Sequence, residues 1–191
     1  TIVHEMGHSM HSYYTRKTQP YTYGDHSIFT AEVASTVNES LLIKHLLKTE
    51  TDPQMRKYLI NYYIEEFRTT LFRQTMFAEF ELMAHEEIEK GGVLTASWLN
   101  ENYDKLNSLY FGPAMSHDEY IQYEWARIPH FYRGFYVYQY ATGYSAATAI
   151  SSKILEEGPK ARDNYIEFLK SGSSDYPVEL LKIAGVDMAS P

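Results

Sequence analysis

The sequence predicts an all-α protein, and three observations carry that prediction. Apolar residues recur at helical spacing, helix start and stop residues bracket the periodic segments, and no run alternates apolar and polar residues as a half-buried strand does. Residues 1–16 read as the first helix, with Ile2, Val3, Met6 and Met10 on its apolar side and Thr1 as a candidate cap. Pro20, Gly24 and Asp25 mark a turn between Lys17 and Ser27. Ile28 to Leu47 reads as a second helix, with Phe29, Val33, Val37, Leu41 and Leu47 near helical spacing. Asp52-Pro53 places a capping carboxylate before a proline at the first helical position, and a long helix is expected from there to about Glu89. Lys90-Gly91-Gly92 ends it.

Thr95 or Ser97 opens a helix that runs to about Tyr110 and breaks at Gly112-Pro113. Ser116 to Arg127 is a short helix candidate closed by Pro129. Phe135 to Glu157 reads as a further long helix stopped by Gly158-Pro159. Lys160 to Lys170 is helical, Ser171 to Ser174 is a linker, and Pro177 to Ala184 forms a last short helix. No repeat or low-complexity tract interrupts this pattern, so residues 1–191 are expected to form a single helical domain.

Composition narrows the function. The chain is 44% apolar, 22% charged and 15% aromatic, a globular balance. Seventeen basic residues are spread among twenty-five acidic ones for a net charge of −8, which excludes a clustered phosphate-binding surface and with it a nucleic-acid partner. No apolar run approaches the roughly 20 residues that span a bilayer, so no membrane partner is expected. Cysteine is absent, which excludes disulfides and thiolate metal sites and accords with a reducing, cytoplasmic setting. Eighteen tyrosines stand out. Their apolar bodies suit helix packing and their hydroxyl tips suit the wall of a peptide site.

His4-Glu5-Met6-Gly7-His8 matches H-E-x-x-H. On a helix, residues four apart share a face, so both imidazoles converge on one zinc ion. Glu5 follows the first ligand and is placed to act as general base toward water. A catalytic zinc site takes three protein ligands and keeps one position open. Glu32, 24 residues beyond His8 on the second predicted helix, is the third-ligand candidate, because two antiparallel helices joined by such a turn can present it to both histidines. Ser35, one turn later, can orient it, and Asn38 and Glu39 can join the same network.

The segments His4 to His11 and Phe29-Thr30-Ala31-Glu32-Val33-Ala34-Ser35-Thr36, with His130-Phe131-Tyr132 and Phe135 to Gly143 downstream, closely resemble the oligoendopeptidase F branch of the thimet-oligopeptidase-like zinc peptidases. The likeness runs over essentially the whole chain in the same order. It implies a helical fold with a buried channel, zinc at His4, His8 and Glu32, Glu5 as base, and cleavage of short peptides. Family members are much longer, so the chain is expected to be the C-terminal catalytic part of a larger enzyme. On that expectation it needs its N-terminal portion as a partner for full activity, and alone it self-associates into homo-oligomers through uncovered apolar faces.

Other histidines compete for the metal. His11 continues the ligand face, and His26 sits in the turn before Glu32; a closed four-ligand site through either would describe a non-catalytic metal-binding module. His45 and His117 read as surface residues, and His85-Glu86-Glu87-Ile88-Glu89 lacks a second histidine. His130 follows Pro129 and precedes a stripe of Tyr136, Tyr140 and Tyr144 at i, i+4, i+8. His130, Tyr140 and then Tyr136 are the candidates to donate a hydrogen bond to the oxyanion that forms when water attacks a peptide carbonyl. Gly143, Ala146 and Ala147 suit close helix packing.

Overall fold

The computed structural model describes residues 2–116 and 118–190; Thr1, the candidate cap, and His117 lie outside them. The described residues contain helices, turns and irregular segments and no strand. The all-α expectation therefore holds. No helix is long and apolar enough to cross a membrane. The chain divides into two compact units, one of residues 1–66 with 142–191 and one of residues 67–141.

The first unit begins with α1 (Ile2–Thr18), which a short 3-10 turn at Tyr21–Tyr23 joins to α2 (Ile28–Thr49). α3 (Pro53–Phe67) starts as the sequence predicts: Asp52 Oδ1 accepts the Gln54 N–H at 3.1 Å, with Pro53 at the first helical position. From residue 142 onward α6 (Tyr138–Glu157) belongs to this unit, followed by α7 (Pro159–Lys170) and α8 (Pro177–Ile183). The core is built from Val33, Ala34 and Val37 of α2, Ala146, Ala147 and Ile150 of α6, Phe168 and Leu169 of α7, and Leu180 and Leu181 of α8. Each fully buried Val, Ile, Leu or Phe side chain contributes about 1.5–3 kcal/mol relative to exposure. α2 and α6 also share a buried Ser40–Ser151 hydroxyl hydrogen bond of 2.7 Å.

α1 packs against α2 and α7. The contact with α2 is close because Gly7 has no side chain: a Cβ there would stand 2.5 Å from Ser35 Cα and 2.6 Å from Ala34 O. At its other end, α1 satisfies carbonyls that α7 leaves without helical partners. Thr15 Oγ1 donates to Leu169 O at 2.9 Å, Thr18 Oγ1 to Lys170 O at 2.7 Å, and Gln19 Nε2 to Lys170 O at 2.9 Å.

The second unit holds α4 (Arg73–Glu89) and α5 (Ala96–Phe111) around Met76, Phe77, Phe80, Tyr103, Leu106, Ile128 and Val137. The long helix expected from Asp52 to Glu89 is present with one modification. Between α3 and α4, Arg68–Phe72 forms a π turn in which the Arg73 N–H reaches Arg68 O, five residues back. Gly91, at φ 84°, closes α4. Thr95 caps α5 by accepting the Trp98 N–H, and Gly112, at φ 67°, ends it. Glu124 gathers Arg73 (2.7 Å), the Tyr103 hydroxyl (2.6 Å) and Arg127. These donors hold its carboxyl below the usual range although burial opposes them.

Two expectations here need correction. The helix expected over Ser116–Arg127 is replaced by one 3-10 segment, Ile121–Arg127, and a second, Pro129–Tyr132, follows it. Asp118 Oδ1 captures the Tyr120 N–H, and Pro129 holds Ile128 extended at φ −90°, ψ 100°, so a regular α-helix cannot run through. The helix expected from Phe135 starts at Tyr138. Phe135 sits at φ 54°, a left-handed conformation held by its N–H donating to the buried Glu81 carboxylate at 2.7 Å.

Candidate metal centre

The i, i+4 spacing on α1 brings His4 and His8 together as expected. Their rings meet edge to face with centroids 4.9 Å apart and their Nε2 atoms 3.2 Å apart. The close α1–α2 contact at Gly7 brings Glu32 to the same point, with Oε2 3.5 Å from His4 Nε2 and 3.7 Å from His8 Nε2. Among the described residues this trio is the one group of three or more His, Asp or Glu with ligand atoms close enough to share an ion. All three are half-buried.

Neighbouring side chains orient Glu32 and His4. Ser35 Oγ donates to Glu32 Oε2 at 3.1 Å and to Glu32 O at 3.0 Å. Glu39 Oε2 lies 3.2 Å from His4 Nδ1, and Asn38 Nδ2 donates to Val3 O at 3.3 Å on the turn that carries His4. A carboxylate at Nδ1 holds the proton on that nitrogen and leaves Nε2 as a lone pair. His4 Nε2, His8 Nε2 and Glu32 Oε2 converge at 3.2–3.7 Å from one another. Ligand atoms about 2.0–2.1 Å from one ion at tetrahedral angles lie about 3.3 Å apart, so the residues fit a zinc-type cation. Replacing Glu39 by Gln is expected to weaken metal affinity by about 10–100-fold, the usual scale for such outer partners, as read by competition with a chelator. Unchanged affinity would show that α1 alone orients His4.

Glu5 is exposed and does not join the trio; it shares an open groove on α1 with His8. The rival histidines are also outside the trio. His11 is 1% exposed, stacks on His26 with centroids 4.0 Å apart and a 13° tilt, and touches Phe168 at 5.4 Å. Burial first, then His26 and His8, push the His11 imidazole down to about 3, so it stays neutral at physiological pH. Burial also lowers His26, against a raising influence from Asp25. Nδ1 of each ring is buried without a hydrogen-bond partner. His45 and His85 are exposed, as the sequence suggests; His85 stacks on Phe135 at 4.5 Å.

In the second unit His130, Tyr136 and Tyr140 form one cluster. His130 Nε2 lies 3.4 Å from the Tyr140 hydroxyl, its ring stacks on Tyr136 at 5.7 Å, and the Tyr136 and Tyr140 centroids are 5.6 Å apart. The cluster is not the helical stripe that the spacing predicts, because Tyr136 precedes α6. Tyr144, the third member of that stripe, falls in the first unit. There it borders a small pocket with Tyr62, Tyr63, Glu39 and Glu66, and burial pushes its hydroxyl up to about 12.

Sequence reasoning left two site residues without a role. Gly7, a filler position in the motif, sets the helix separation, and Glu81 fixes the Phe135 bend ahead of the tyrosines. Gly7 carries a signal of its own, since a glycine inside a helix costs about 1 kcal/mol against alanine and calls for a packing reason. Glu81 carries none.

Peptidase family M3 matches the chain over residues 1–191. Oligopeptidase PepF of Bacillus subtilis is 60% identical over 191 residues, all of this chain and 28% of its own length. An oligoendopeptidase F homolog of Lactococcus lactis is 53% identical over all of this chain and 32% of its own. The chain thus spans about a third of the length of the curated relatives it matches. Among solved structures, the oligoendopeptidase-F of Enterococcus faecium superposes with a TM-score of 0.87 at 53% identity, covering 99% of this chain and 34% of its own. A putative peptidase from Chlamydophila abortus gives a TM-score of 0.92 at 45% identity, covering 100% and 32%. With the family matched along the whole of its length, the chain is a member of peptidase family M3.

Proposed function

We propose that this chain carries the metal centre and general base of a zinc oligopeptidase that hydrolyses short peptides. The observation that supports it most directly is the convergence of His4 Nε2, His8 Nε2 and Glu32 Oε2, with Ser35 and Glu39 fixing two of the three. The relatives named oligopeptidase and oligoendopeptidase support the substrate class.

When bound, zinc supplies a Lewis acid that polarises the scissile carbonyl and acidifies water. Glu5 takes the proton of the attacking water and passes it to the leaving amine. The water oxygen bonds to the carbonyl carbon as the C=O π pair moves onto oxygen, and the C–N bond breaks afterwards, when the amine leaves with the proton from Glu5 and the C=O bond re-forms. Tyr140 and His130, with Tyr136 stacked on the imidazole, donate to the oxygen that gains charge as the tetrahedral species forms. The rest of a protein of the relatives' length would supply the further walls that position a peptide. In its absence the chain retains metal, turns over slowly and self-associates through exposed apolar side chains such as Ile2. A cytoplasmic setting accords with the absence of cysteine.

Metal content after dialysis tests the ligand set. Glu32→Ala is expected to lose zinc and His26→Ala to keep it. The reverse result would move the third ligand to the turn before α2 and overturn the assignment.

A further inference from the structure

α1 carries more than the ligand pair. Its outer face lines an open groove that runs from Glu5 and His8 past Ser9, Ser12 and Tyr13 to Arg16 and Lys17. Positions 5, 9, 12 and 16 fall at i, i+4, i+7 and i+11, a single stripe of a straight helix. The net charge of the chain is −8, yet Glu5 is the one acidic residue lining this groove, and its far end holds two cations. Arg16 and Lys17 are exposed, and among the described residues no carboxylate pairs with either. Lys17 instead reaches the Tyr13 hydroxyl at 3.2 Å and lies 5.3 Å from its ring centroid. Cations in a last helical turn complement the helix dipole. That role would be served on any face of the turn and gives no reason for a groove continuous with the metal ligands.

We propose that Arg16, assisted by Lys17, anchors a carboxylate of the peptide substrate. This rests on the peptidase reading above and adds a specificity determinant to it. A guanidinium presents a planar fork that accepts a carboxylate through two parallel hydrogen bonds, which fixes register as well as affinity. Eight to eleven helical residues separate His8 and Glu5 from Arg16, a span of about 12–16 Å at 1.5 Å per residue. An extended peptide rises about 3.3 Å per residue, so the same span takes about four or five substrate residues. The anchored group is therefore the C-terminal carboxylate of a peptide with four or five residues beyond the scissile bond, or an Asp or Glu side chain at that position. The outcome is a preference for where a short peptide is cut, counted from its carboxylate.

The test uses a protein of the relatives' length containing this chain, and fluorogenic peptides with two to seven residues beyond a fixed scissile bond. Each is made as the free acid, as the amide, and as the amide with Glu at the fourth or fifth position. kcat/KM is expected to peak at four or five residues for the acids. Amidation should lower it by about tenfold through KM, and the Glu arm should restore it where the side chain is the carboxylate recognised. In Arg16→Gln the acid and amide forms converge, Arg16→Lys retains part of the difference, and metal content and melting temperature report that both variants fold. Equal rates for acid and amide, or a difference that survives Arg16→Gln, overturn the proposal and leave the peptidase reading standing. Absence of cleavage of every peptide overturns both.

Discussion

Replacing Glu5 by glutamine is expected to leave zinc retention intact while peptide turnover falls by about 10²–10⁴-fold, the range a positioned general base contributes. The side chain keeps its size and loses the ability to take a proton. Glu5 stands outside the trio of converging ligand atoms, so the metal should not feel the change. The two readouts must separate: zinc by metal analysis, and kcat on a fluorogenic peptide in a protein of the relatives' length. Loss of both together would make Glu5 a structural or ligand residue. Retention of both would assign the proton transfer elsewhere.

Gly7→Ala is expected to damage both the packing of the first unit and its metal centre. The added Cβ would meet backbone atoms of α2, at 2.5 Å from Ser35 Cα, 2.6 Å from Ala34 O and 2.7 Å from Ser35 N. No rotamer relieves a clash with backbone, so α1 and α2 must separate. Overpacking of this kind costs about 1–3 kcal/mol, which lowers the melting temperature of a chain this size by about 2–12 °C. The same displacement moves His4 and His8 away from Glu32, and metal sites tolerate only about 0.5 Å of misplacement. Zinc affinity should therefore fall by more than tenfold. Gly143→Ala is the matched control. A Cβ at 143 meets Glu32 Cβ at 3.4 Å, close to ordinary contact, so a far smaller effect is expected. Equal tolerance of the two alanines would show that Gly7 does not set the helix separation.

Helix identity was readable because its signals are local. Asp52-Pro53, Thr95, Gly112 and Gly158 act within one turn of where they stand, and the structure uses each of them. His4 and His8 were readable for the same reason, since a spacing of four is a statement about one helix. Glu32 was readable only as a carboxylate at a workable distance; what brings it home is Gly7, which the motif treats as filler. The remainder depended on partners far apart in sequence. Phe135 is bent by Glu81, 54 residues earlier, and that takes Tyr136 off the helix. His11 is buried by a stack with a turn residue and by Phe168, neither of which periodicity reveals. The two compact units meet the chain at 66/67 and 141/142, inside helical sequence, where no linker composition marks a boundary.

The hydrogen bonds that tie α1 to α7 set an order of events on the ribosome. α1 and α2 span fewer than 50 residues and can close their hairpin as soon as both have been made. The carbonyls that Thr15 and Thr18 must cap lie 154 and 152 residues later. At about 5–20 residues per second, roughly 10–30 s of synthesis separates the metal helix from the segment that completes its packing. During that interval the nascent chain already presents both histidines and Glu32 while half of their supporting core is still untranslated, so an ion captured early would act as a pin for the hairpin until α6 and α7 emerge to bury it.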